Sequence, residues 1–203
     1  MENFTAWYMA NYKAVTACIA AIFIVVLYFA IKSSRRHNKL YRQEEAKIIR
    51  LKELKEKFSS LSPEIIEGAE TADLLEGTAL HYQLRIQKHD NIEKEFSLLP
   101  VCAKYVYTLD IFVSEGATPS KFYRENGNIL RELFVPALEA IGENRLAEIV
   151  KPLSRMYDPK DEMASIDSSV IEKADEAFAS SFNEADFRLR AGDYIRSQAE
   201  NFI

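Results

Sequence analysis

Residues 14–31 (AVTACIAAIFIVVLYFAI) carry no charge, glycine or proline. As a helix at about 1.5 Å per residue this run reaches roughly 27 Å, close to the thickness of a bilayer core. Trp7, Tyr8 and Tyr12 stand just before it, where amphipathic rings suit the headgroup layer. A cleaved signal peptide would need a basic start, a shorter apolar core and a small-residue cleavage site; here only Glu2 and Lys13 are charged before the run. The run therefore predicts a retained single-pass transmembrane helix over 14–31. Lys32, Arg35, Arg36, Lys39 and Arg42 follow it, against Lys13 alone before it. The positive-inside rule then leaves residues 1–13 as a short external tail. The expected location is a bacterial inner (cytoplasmic) membrane, N-terminus out, with the C-terminal domain in the cytoplasm. Ala14, Ala17, Cys18 and Ala21 share one helical face and permit close helix approach, so a homo-oligomer through span and stalk is compatible with the sequence.

Charge divides along the chain. Residues 32–57 hold ten Lys/Arg and four Asp/Glu, a net +6, whereas residues 58–203 hold fifteen and twenty-six, a net −11. A basic collar attracts anionic lipid. The acidic part repels phosphate, and direct nucleic-acid binding draws its affinity from neutralising phosphates, so no direct nucleic-acid partner is expected.

The pattern after residue 31 is helical throughout. Residues 32–61 read as a basic stalk helix striped by Ile48, Leu51, Leu54, Phe58 and Leu61, at steps of three and four. An acidic domain over 62–203 starts at Ser62-Pro63-Glu64, a cap followed by proline at the first helical position. Its first helix, with Ile65, Ile66, Ala69, Leu74 and Leu75, is expected to run to Gly77. Residues 78–88 fit helix or strand, and the helices on both sides favour helix. Asp90-Asn91, with Glu93, starts the next helix; Pro100 breaks or kinks the path, and Ala103, Val106, Leu109, Asp110 and Val113 continue its face. Leu130, Leu133, Phe134, Ala137, Leu138 and Ile141 follow helical steps up to Gly142, a natural left-handed stop. Leu146, Ile149, Val150, Leu153 and Met156 then form an antiparallel partner. DPKDEMASIDSS is a loop, and two further helices follow, the last capped by Asn183. The expected fold class is all-α: an N-terminal transmembrane helix, a short charged stalk, and a compact domain of five to seven helices.

No catalytic, cofactor-binding or metal-ligating set emerges, and the reading is of a protein that is not an enzyme. HExxH, CxxC, GxSxG, Walker and GxGxxG patterns are absent, and the six glycines are scattered. His89 and Glu93 have i, i+4 spacing, but a metal site needs more ligands, so a surface contact is the simpler reading. Asp161-Glu162 and Asp175-Glu176 are adjacent acids, usually a solvated face. Cys18 and Cys102 lack partners and read as small hydrophobes.

EGATPSKFYRENGN (115–128) interrupts the apolar periodicity with Gly116, Pro119, the pair Phe122-Tyr123 and Asn126-Gly127. It reads as an anchored turn in which Phe122 plugs the core, with Tyr123, Arg124, Glu125 and Asn126 as candidate partner contacts. The order of glycine turn, aromatic pair, Asn-Gly and ILRELFVPALEAIGENRLAEIV resembles the C-terminal domain of the bacterial DNA-mimic protein family. The closing ADEAFASSFNEADFRLRAGDYIRSQAENFI is similar to that family's end, and the likeness covers about residues 105–203. Where the family has paired glycines, this chain has Glu115-Gly116-Ala117-Thr118-Pro119. The resemblance implies an acidic helical domain whose carboxylates imitate the charge of the DNA backbone and sequester a basic DNA-binding regulator.

The leading functional expectation is a membrane-anchored, non-catalytic cytoplasmic module that binds a protein, possessing an acidic helical surface suited to a basic partner. The alternative is mimic-like sequestration of a regulator. An enzyme would need a buried polar cluster, with a desolvated acid or histidine, beneath residues 115–128.

Overall fold

The computed structural model describes residues 41, 42, 44–157 and 168–202, and the chain divides into two units, Met1–Leu51 and Lys52–Ile203. Helix α1 covers residues 44–57. Within the first unit its residues are exposed, Ile48 at 54% and Leu51 at 44%. Leu54 and Phe58, read from the sequence as the same stripe, are buried core of the second unit, at 3% and 1%.

The second unit continues with α2 (Pro63–Gly68), α3 (Thr71–Ile86), α4 (Ile92–Ser97) and α5 (Val101–Ser114). Then come α6 (Pro119–Glu125), α7 (Asn128–Ala140), α8 (Asn144–Met156), α9 (Ser168–Ser181) and α10 (Glu184–Ser197), and a 3-10 turn closes at Ala199–Phe202. The described residues are all-α, with no strand among them.

The expected architecture needs two corrections. No helix of the described residues is long and apolar enough to cross a membrane. The longest, α3, has 16 residues and carries Asp73, Glu76 and Arg85, which suit a half-buried helix and not lipid. The span expected over 14–31, with Lys32, Arg35, Arg36 and Lys39, lies outside the described residues; Arg42 is helical and exposed. Secondly, nine α-helices follow Ser62 among the described residues, not five to seven. One extra break falls at Ala69, which takes an extended backbone between α2 and α3, and another is the separate short helix α6.

Gly77 is not a stop. It sits inside α3, and a Cβ there would lie 2.3 Å from the Phe58 ring, so the missing side chain lets that ring pack onto the helix. The ambiguous 78–88 stretch is helical as far as Ile86.

Packing neighbours run in the order α10, α3, α5, α7, α8, α9. At the centre stands Phe112 of α5, with ring centroids 4.5 Å from Phe134, 5.3 Å from Phe178 and 5.8 Å from Phe122. These tilted and edge-on pairs tie α5 to α7, α9 and α6. Two helix ends have the Schellman hydrogen-bond pattern. At the end of α5, Ala117 N–H donates to the Phe112 carbonyl (3.0 Å) and Gly116 N–H to that of Val113 (3.1 Å). At the end of α7, Glu143 donates to Leu138 (2.9 Å) and Gly142 to Glu139 (3.0 Å). Gly116 and Gly142 take φ of +101° and +78°, and Ala117, beside the first, takes +52°. The C-terminus is pinned where the buried Tyr82 hydroxyl donates to the Phe202 carbonyl at 2.6 Å.

Candidate functional site

The polar stretch 115–128 is largely helix. Pro119 opens α6 at its first turn, where its missing N–H costs nothing. Thr118 makes no side-chain cap; the cap comes from α9, where Asp175 accepts from the Ser120 N–H at 3.0 Å and from the Ser120 hydroxyl. Asp175, expected on a solvated face, thus joins two helices. The stretch is closed further by Asn126, whose amide donates to the Glu115 carboxylate (2.8 Å) and the Phe122 carbonyl (3.1 Å). Lys121 donates to the Glu115 carbonyl at 2.8 Å.

The four candidate contacts therefore have different environments. Arg124 and Glu125 are exposed, Asn126 is half-buried and engaged, and Tyr123 is buried. Phe122 fills the core as expected, but Tyr123 is equally inaccessible, each at 1% exposure. The Tyr123 ring stacks on Tyr157 with centroids 5.4 Å apart and 20° between planes. The Arg131 guanidinium lies 5.6 Å over the Tyr157 ring, a cation–π arrangement.

These groups surround a cavity of about 340 Å³, lined among others by Tyr123, Asn128, Arg131, Ser154, Arg155 and Tyr157. Among the described residues Glu132 is the one carboxylate in its wall. Among the described residues neither Arg131 nor Arg155 forms an ion pair. Arg131 reaches only neutral acceptors, the Asn128 side chain and the Arg124 carbonyl, each at 3.4 Å, and its Nε is buried without a partner. The Tyr123 hydroxyl is also buried, with Ser154 a polar neighbour but no well-formed hydrogen bond among the described residues. Burial pushes its pKa well above the ordinary tyrosine value, with Ser154 and Arg131 opposing. Burial likewise raises Tyr157, against Arg124 and Arg131. Both phenols stay protonated at neutral pH. The described lining of the recess offers hydrogen-bond donors and fixed positive charge.

A desolvated acid does exist elsewhere. Asp110 of α5 is pushed up to about 7, chiefly by burial and also by Glu76, with Arg188 opposing. It does not line the recess, so the condition set for an enzyme beneath residues 115–128 is not met by this acid. The sequence signal was available: Asp110 stands in helical register with Val106 and Val113, on an apolar face. His89 approaches Glu95 at 3.9 Å, not Glu93, because the helix starts only at Ile92 and helical spacing does not reach back to His89. Cys102 is buried, its thiol donating to the Asn201 carbonyl at 3.4 Å. Among the described residues no group of His, Cys, Asp and Glu side chains could hold a metal ion.

No family model matches the chain, and neither a curated protein nor a solved structure does.

Proposed function

We propose that the acidic helical unit is a non-catalytic protein-binding module that docks a basic partner on its α6–α7–α8 face. The observation that carries this reading is the recess beside α6, where among the described residues Arg131 and Arg155 stand without carboxylate partners against the Tyr123–Tyr157 stack. Arginine and tyrosine in a concave, partly desolvated site are the side chains that most often anchor interfaces. The net −11 of residues 58–203 steers a basic partner at long range. The recess then fixes register by holding an acceptor group of that partner, with exposed Arg124 and Glu125 at the rim.

The test is capture of partners by the full chain at low salt, followed by elution at about 0.5 M salt, where screening shortens to a few ångströms. A protein partner released by salt supports the reading. Capture unchanged by salt, or none, contradicts it. If the eluted protein is a DNA-binding regulator that duplex DNA displaces, the sequestration implied by the family resemblance is the form the binding takes.

A further inference from the structure

We infer that a second recess, between residues 55–59 and the C-terminal half of α3, binds the phosphate group of a phosphate monoester. This inference is independent of the α6–α8 face.

The cavity has about 530 Å³, and Lys55, Arg85 and Lys88 line it together with Ser59, His81 and Gln87. Among the described residues no acidic side chain is in its wall. Among the described residues none of the three cations forms an ion pair. Three unneutralised cations around one concavity repel one another and concentrate positive potential there. In a region of net −11 this is a local reversal of sign, and carboxylates to relieve it are abundant elsewhere on the surface.

The donors are varied in the way phosphate recognition uses. Arg85 provides a planar fork, Lys55 and Lys88 provide point charges, and Ser59 and Gln87 add neutral donors. His81 is held in place, since its Nδ1 lies 2.9 Å from the Phe58 carbonyl. A carbonyl only accepts, so Nδ1 carries the proton and Nε2 is the ring's remaining polar atom. With three cations and no acid, a dianion is a better match than a carboxylate, which would leave two charges unneutralised. The volume exceeds a bare phosphate, and Phe58 and Leu84 supply apolar wall for the ester's carbon body.

Cations near helix C-terminal ends also complement the helix dipole, and Arg85 is in the last turn of α3. That role predicts an effect of substitution on stability alone, with no ligand. It does not require three side chains to converge on one cavity.

Two sources carry this chemistry, a soluble phosphomonoester and a lipid headgroup. The test uses the full chain with two probes: glycerol 3-phosphate by calorimetry, and flotation with phosphatidylcholine vesicles with or without phosphatidic acid. Saturable, salt-sensitive binding of glycerol 3-phosphate identifies a soluble ligand. Binding that appears only as a phosphatidic-acid-dependent increment identifies a headgroup. In either case the variant Arg85→Gln/Lys88→Gln weakens binding about tenfold or more. The variant Arg145→Gln/Lys173→Gln changes net charge equally at exposed cations elsewhere and stays within about twofold of the parent. Melting curves of both variants verify folding. The inference is overturned if neither probe binds, or if both double variants weaken binding equally.

Discussion

The two recesses differ in how they are built. The one beside α6 rests on an aromatic floor, with Tyr123 6.1 Å from Phe134 and Phe134 4.5 Å from Phe112. Of its charged groups Arg131 is half-buried against the aromatic rings, while Glu132 and Arg155 are exposed at the rim. The one beside α3 has exposed cations, Lys55, Arg85 and Lys88, over a buried Phe58 ring seated against Gly77. The first is shaped by packing and suits an anchoring side chain; the second is shaped by charge and suits a small anion. A preorganised site loses function when its floor is removed, whereas a charge-built site loses it when its net charge changes.

Phe134→Ala breaks the comparison most strongly. The fully buried ring is shared by the core and the first recess, so chemical denaturation is expected to register a loss of about 3–5 kcal/mol. Near-ultraviolet dichroism from the Tyr123–Tyr157 stack should fall with it.

Asp110 lines neither cavity, and its substitution separates stability from binding. Its folded pKa of about 7 lies above the ordinary 3.8, so the folded state holds the proton more tightly. That stabilisation is complete below the unfolded value and is lost as pH rises through about 7. Wild type should lose about 2 kcal/mol between about pH 5 and pH 8 through this group, at no more than about 1.4 kcal/mol per pH unit. Asp110→Asn should flatten the profile measured by urea denaturation.

Gly77→Ala tests the second recess from below. Helix propensity favours alanine by about 1 kcal/mol, but forcing a methyl into a packed ring costs about 1–3 kcal/mol. Because the clash at 2.3 Å is with a ring that is itself enclosed, the expected net effect is a loss of about 1 kcal/mol. Weaker phosphomonoester binding should accompany it.

The smallest effect belongs to the turn before α6. Ala117 holds φ of +52°, a left-handed conformation that costs a non-glycine residue about 1 kcal/mol or more. Ala117→Gly should therefore raise the thermal midpoint slightly and leave both recesses unchanged.

The parts of the fold legible in the sequence were those determined locally. The steps of three and four through α7 and α8 place Phe134, Leu138, Leu146 and Leu153 in the core. The Gly142 stop and the Asn91 and Asn183 caps need only neighbouring residues. What stayed hidden depends on distant contacts. Gly77 looked like a helix end because nothing nearby reveals that Phe58 occupies the space of its side chain. Asp175 looked solvated because its partner, Ser120, lies 55 positions away. Tyr123 was legible as a special residue but not as a buried one, since its stack on Tyr157 is formed across α6 and the end of α8. The second recess was invisible for the same reason: Lys55 and Arg85 belong to helices whose pairing no local pattern specifies.

The most direct test is partner capture by three forms of the full chain: wild type, Arg131→Ala/Arg155→Ala and Arg85→Gln/Lys88→Gln. The salt-released protein partner should be lost with the first variant and retained with the second. Loss with both, or retention by both, would contradict the assignment of protein binding to the α6–α8 face.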